Sequence, residues 1–248
     1  MFSYLVLMLG GLLMGAMVYR YNTEEREPWW MLVSAVIAGA LATAVAVGIK
    51  LAVVQFAGVG QRELLHAVLD GATQELAKLA VPAAILLLVR KYFNDPMGGL
   101  LYGSLAGLGT ALFEAAWWQW YAEESANAIA TQGPTAMRLL LHTLWGGIVG
   151  SALGLIIMKK PWRQTLAQRV GLVMLIHFSW DYFIRYVPNG SENNWHRLGA
   201  SLLLGTSVIW YGLLIVQANK WSRSLHEPTS KQRLLGRIVK MIITRRIR

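Results

Sequence analysis

The chain has 248 residues, 55% of them apolar and only 15% charged, with 11 Trp, 10 Met, no Cys and a mean hydropathy of +0.43. So few charges cannot coat a soluble globule of this size, and the same arithmetic excludes a disordered chain and a disulfide-stapled secreted module. The formal charge of +10 would raise nucleic acid as a partner of a soluble protein; in an apolar chain it is first tested as a topology signal.

Apolar runs long enough for a bilayer recur along the whole length. They predict an all-α, polytopic membrane helix bundle of about seven transmembrane helices, followed by a C-terminal interfacial amphipathic helix. In chain order the spans fall at Ser3–Val18, Trp30–Val54, Gly71–Val89, Gly98–Tyr121, Met137–Met158, Leu166–Tyr186 and Leu198–Val216. The bundle therefore covers residues 1–219, and residues 220–248 form a basic cytoplasmic tail. The first span lacks a basic leading segment and a small-residue cleavage site, so it reads as retained and not as a removed signal peptide. Lys50, late in the second span, reads as an end residue that snorkels to the interface. The third span extends backwards as an amphipathic stretch through Arg62, Glu63 and His66.

Seventeen of the 23 Lys and Arg fall in or at the edge of the connections after the first, third and fifth spans and in the tail, among them Arg20, Arg90, Lys159 and, at the start of the sixth span, Arg169. By the positive-inside rule the N-terminus lies outside and the C-terminus in the cytoplasm. The basic excess is thereby accounted for with no nucleic acid as partner. Trp29, Trp30, Trp117, Trp118, Trp120, Trp162, Trp195 and Trp221 stand near predicted span ends, where an amphipathic ring prefers the headgroup level. In the tail, Leu235, Ile238, Val239 and Ile242 line one side of a helix and Arg233, Arg237, Lys240 and Arg248 the other. Such a segment lies on anionic lipid, gaining about 1 kcal/mol per basic residue near the surface.

An ionisable side chain inside hydrocarbon costs about 2.5–3.5 kcal/mol even on lenient scales, so each one asks for a function. Glu75, Glu114, His142, His177 and Asp181 stand well inside apolar runs, with Gln74 and Lys78 beside the first. Counted from the outer end of each span at 1.5 Å per residue, all five lie roughly 6–14 Å deep. Gln74, Glu75 and Lys78 share one side of the third span, and His177 and Asp181 share a face of the sixth. Imidazoles and carboxylates together suit a borderline divalent ion such as zinc, and a ligating His commonly has a carboxylate on its second nitrogen. Gly or Ala at three- and four-residue spacings, from Gly99 to Ala111 and from Gly146 to Gly154, lets helix backbones approach closely.

Other chemistries are missing. There is no thiol, no Ser in a nucleophile elbow, no P-loop, and His226-Glu227 is followed by Pro228 without the second His of a zinc helix. A proton or ion carrier would need a polar path to the far side, but the inner halves of the spans read as apolar and no inverted repeat is evident.

Four blocks resemble the PrsW family of intramembrane proteases, relatives of the CAAX prenyl endopeptidases. Glu25-Arg26-Glu27-Pro28 is similar to the family's acidic-Pro signature, and Gln74-Glu75-Leu76-Ala77-Lys78 to its E-E-x-x-K helix. Asp95-Pro96 through Tyr102-Gly103, Gly107-Leu108-Gly109 and Phe113-Glu114 resembles its D-G-x-x-Y-G helix, and Arg138 with His142 and His177 with Asp181 its two histidine helices. Gln74, Gly98 and Ala115 depart from the pattern, which has Glu, Asp and Asn there. The resemblance implies a membrane-embedded, metal-dependent endopeptidase of a bacterial cell membrane, cutting a single-pass membrane protein such as an anti-sigma factor near the outer leaflet. It implies catalytic roles around Glu75, Glu114, Gln74 and Lys78, and a divalent metal, zinc by chemistry, held by Glu114, His142 and His177, with Asp181 orienting His177. Which carboxylate is the base and which the ligand stays open. An amide at 74 cannot act as a base at neutral pH, so the alternative is a catalytically inactive relative that binds or chaperones a membrane partner.

Overall fold

The computed structural model describes residues 27–56, 63–124, 132–185 and 195–226, together with single positions between 11 and 20. The described residues form six helices and no strand: α1 (Trp29–Phe56), α2 (Glu63–Leu88), α3 (Pro96–Glu124), α4 (Gln132–Ile157), α5 (Arg163–Arg185) and α6 (Trp195–His226), with a short 3-10 turn at Arg90–Tyr92. Four of them, α1, α2, α4 and α6, contain segments long and apolar enough to cross a membrane. The sequence departs from simple apolarity in the other two. α3 is built largely on Gly and Ala and is buried along most of its length, whereas α5 carries Arg163, Arg169, Asp181 and Arg185. A helix that faces protein on most sides needs no lipid-soluble surface.

The predicted second to seventh spans coincide with α1 to α6 within several residues, α2 starting at Glu63 as its amphipathic extension suggests. The last helix runs past Val216 to His226. The predicted first span lies outside the described residues except for single helical positions, of which Gly11 and Gly15 stand beside Leu112 and Leu108 of α3. The tail from 227, with its amphipathic pattern, and Glu25-Arg26 lie outside them as well.

The bundle is sorted by size more than by polarity. On α1 the buried stripe is Met31, Ala35, Gly39, Thr43 and Ala46, while Val33, Ile37, Leu41 and Val45 face outward. That is the arrangement expected where lipid is as apolar as leucine, and association depends on close backbone contact. Backbones meet closely on both sides of α3, against α4 and, through Gly109 and the Val36 carbonyl, against α1. A Cβ built on Gly103 would stand 2.3 Å from the Gly146 carbonyl oxygen, and one on Gly107 2.0 Å from the His142 carbonyl oxygen. No side chain larger than hydrogen fits either position. On the other side of α3 the Thr43 and Thr110 hydroxyls meet at 2.8 Å, tying it to α1.

One expectation is corrected. Lys50 does not snorkel: its Nζ lies 2.6 Å from Asp70 Oδ1, both side chains largely covered, so α1 and α2 are joined by an ion pair. Asp70 begins the face that continues through Gln74 and Lys78 at four-residue steps.

Candidate active site

Three helices bring four charged or ionisable groups into direct contact. α2 presents Glu75 and Lys78, α4 His142 and α5 His177, and all four are sealed from the surface. Lys78 Nζ donates to Glu75 Oε1 and lies 3.2 Å from His142 Nδ1. His177 Nδ1 lies 2.8 Å from the same Glu75 oxygen. The two imidazole rings are 5.0 Å apart, nearly perpendicular. Beside the site α2 lacks one backbone hydrogen bond, since Pro82 has no N–H to give to the Lys78 carbonyl one turn earlier.

Glu114 and Asp181 flank this centre. Glu114 Oε2 stands 2.8 Å from His142 Nε2 and 3.8 Å from Arg138 Nε, while its Oε1 accepts the Trp118 indole N–H at 3.3 Å. With Nε2 donating to Glu114, His142 keeps Nδ1 as an acceptor toward Lys78. Asp181 Oδ2 is 3.8 Å from His177 Nε2. Each imidazole thus has one nitrogen toward Glu75 and Lys78 and the other toward a carboxylate on the outside of the cluster.

Of the metal ligands expected from the sequence, the structure brings His142 and His177 together with Glu75. Glu75, His142 and His177 each offer a donor atom within 4.8 Å of the other two, whereas Glu114 and Asp181 do not join that group. Glu75 Oε2 is buried with no hydrogen-bond partner, a free acceptor of the kind a cation or water satisfies. Two imidazoles and a carboxylate match the chemistry of a divalent ion, and Lys78 is the cation of the cluster as it stands. Gln74 is also buried, its Oε1 without a partner.

Two residues escaped the sequence reading. Trp145, fully buried, forms a wall of the site: its ring is 4.7 Å from that of His177, 5.6 Å from that of His142 and 5.4 Å from Lys78 Nζ. Its indole N–H is anchored on Ser207 of α6 at 3.1 Å. Its place in mid-span, three residues after His142, separates it from the tryptophans near span ends. Trp118, read from the sequence as a headgroup-level ring, also holds Glu114 and lies under the Arg138 guanidinium at 5.4 Å.

Apolar spans around a sealed core of acid, imidazole and ammonium mark an integral membrane protein whose buried Glu75, His142 and His177 could hold a metal ion. The sequence model of the PrsW family of intramembrane metalloproteases matches residues 27–216, and the chain belongs to that family. The matched region contains all of the site residues, and the family makes the protein a membrane protease in general terms and a metal-dependent one. No curated protein and no solved structure matches the chain.

Proposed function

We propose that the protein hydrolyses a peptide bond of a single-pass membrane partner, near the outer leaflet, with Glu75 as the working carboxylate. The observation that carries this reading is the convergence of Glu75, His142 and His177 from three helices, with one Glu75 oxygen left unpartnered. His142, His177 and Glu75 Oε1 would hold a divalent ion, zinc by donor type, which supplies Lewis-acid polarisation of the scissile carbonyl. Glu75 Oε2 takes a proton from the attacking water as its oxygen bonds to the carbonyl carbon. The C–N bond then breaks and the same proton passes to the leaving amine. Lys78 keeps Glu75 ionised and oriented, and Glu114 and Asp181 orient the two imidazoles.

In this reading the chain spans the membrane seven times, with the N-terminus outside and the basic tail on anionic cytoplasmic lipid. The membrane is a bacterial cell membrane, and an anti-sigma factor is a fitting partner because its cleavage would release a transcriptional response. A second reading is favoured by Gln74, where the resemblance leads one to expect glutamate: a non-catalytic relative that holds an intact partner in the same pocket.

Purified protein in nanodiscs decides between them. Cleavage of a co-reconstituted anti-sigma factor that is lost with a chelator and with Glu75→Gln supports the protease. Stoichiometric capture of the uncut partner by metal-free protein supports the binding reading.

A further inference from the structure

Gln74 presents a physical problem that the mechanism above does not use. It is 3% exposed, and its Oε1 is sealed without a partner, as is Oε2 of the adjacent Glu75. Buried acceptors are satisfied in the great majority of cases, and leaving one open is unfavourable. Here two consecutive residues of α2 leave one open each. On the helix Gln74 is one turn from Asp70, which is bonded to Lys50 of α1, and one turn from Lys78, which touches Glu75 and His142. The open carboxamide is thus in register with the reacting cluster, one turn toward the start of α2.

A peptide bond inside a transmembrane helix is shielded until the helix unwinds, and unwinding in hydrocarbon exposes N–H and C=O groups with no water to receive them. A carboxamide has the donor and acceptor of a peptide group. Resting on the protease reading, we propose that Gln74 is a substrate-positioning residue whose Oε1 accepts a backbone N–H of an unwound segment of the partner beside the bond to be cut. The class of substrate is then a transmembrane segment with a helix-breaking stretch near its outer end, recognised through its backbone. Gln74 takes no proton, and the departure from glutamate trades a second carboxylate for a neutral peptide-like contact.

The test is a binding cycle in nanodiscs. The probes are synthetic single-pass Leu/Ala peptides, unbroken or with a Gly-Gly break near the outer end, and the broken peptide carrying an ester in place of one amide at successive positions. The expected result is tighter binding of the broken peptide, with one ester weakening wild-type binding by about 5- to 10-fold. That ester should have no effect on Gln74→Met, which keeps the side-chain length without the acceptor, and an effect again in Gln74→Glu, which restores an acceptor. Equal ester losses in wild type and Gln74→Met, or no preference for the broken peptide, overturn the proposal. A binding cycle as expected in a protein that cuts nothing upholds the positioning role and removes the protease reading. Cleavage without coupling between the ester and Gln74 does the reverse.

Discussion

The two ends of the bundle treat buried polar groups in opposite ways. Around Glu75 the charges close on one another: Lys78 and His177 share one carboxylate oxygen, and His142 lies between Lys78 and Glu114. At the far end they close on backbone and hydroxyl groups. Asp95 Oδ1 accepts the Met97 N–H and the Ser222 hydroxyl, each at 2.5 Å, starting α3 as an N-cap ahead of Pro96. Arg169 donates to the Ser151 hydroxyl. A carboxylate that caps a helix has one useful state, and holding it fixes a helix end. A carboxylate between an ammonium and two imidazoles can exchange partners, and exchange is what a reaction needs.

The contrast is broken most severely at Glu75. Glu75→Gln, His142→Ala and His177→Ala should each lower cleavage by about 10²-fold or more, measured per folded molecule. Glu75→Gln also strands a buried ammonium, at about 3–5 kcal/mol; adding Lys78→Met should restore thermal stability and leave cleavage absent. Next in size is the α3–α4 contact. Gly107→Ala should cost about 1–3 kcal/mol in thermal unfolding and reduce turnover too, because the displaced atom is the His142 carbonyl oxygen. Stability lost without any change in turnover would separate the packing from the site.

Glu114→Gln should weaken metal affinity by about 10- to 100-fold, read by competition with a chelating dye, because the amide no longer fixes the His142 ring as a carboxylate does. The smallest effect belongs to the far end. Asp95→Ala should lower stability by about 1 kcal/mol with unchanged turnover per folded molecule. Turnover that falls with Asp95 as steeply as with Glu75 would end the distinction between the two ends.

The sequence was most legible where one helix at a time decides the outcome. Apolar runs broken by charge and turn residues placed the six described helices, and ionisable side chains inside those runs picked out Glu75, Glu114, His142, His177 and Asp181 before any contact was known. What it could not supply was opposition. Helical spacing says that His177 and Asp181 share a face, but not that Glu75 of α2 stands against that face while Glu114 turns to the outer nitrogen of His142. Those pairings follow from which backbones touch, and hence from Gly103, Gly107 and Gly146, whose spacing shows that some close approach occurs without naming the partner. Lys50 was misread for the same reason: a basic residue at a span end looks like a snorkel until the neighbouring helix is seen to offer Asp70. Trp145 was hidden among eleven tryptophans, most of them near span ends.

The contact of Gly107 with the His142 carbonyl has a consequence for how the site responds to its surroundings. Helices that meet through long side chains can slide and tilt by rotamer change when a bilayer thins or its lateral pressure rises. Helices that meet main chain to main chain have no such slack. The spacing between Glu114 and His142 is therefore set by covalent geometry and van der Waals radii, and the lipid-facing rows of α1 and α6 can adapt to membranes of different thickness while the distances that matter for chemistry stay the same.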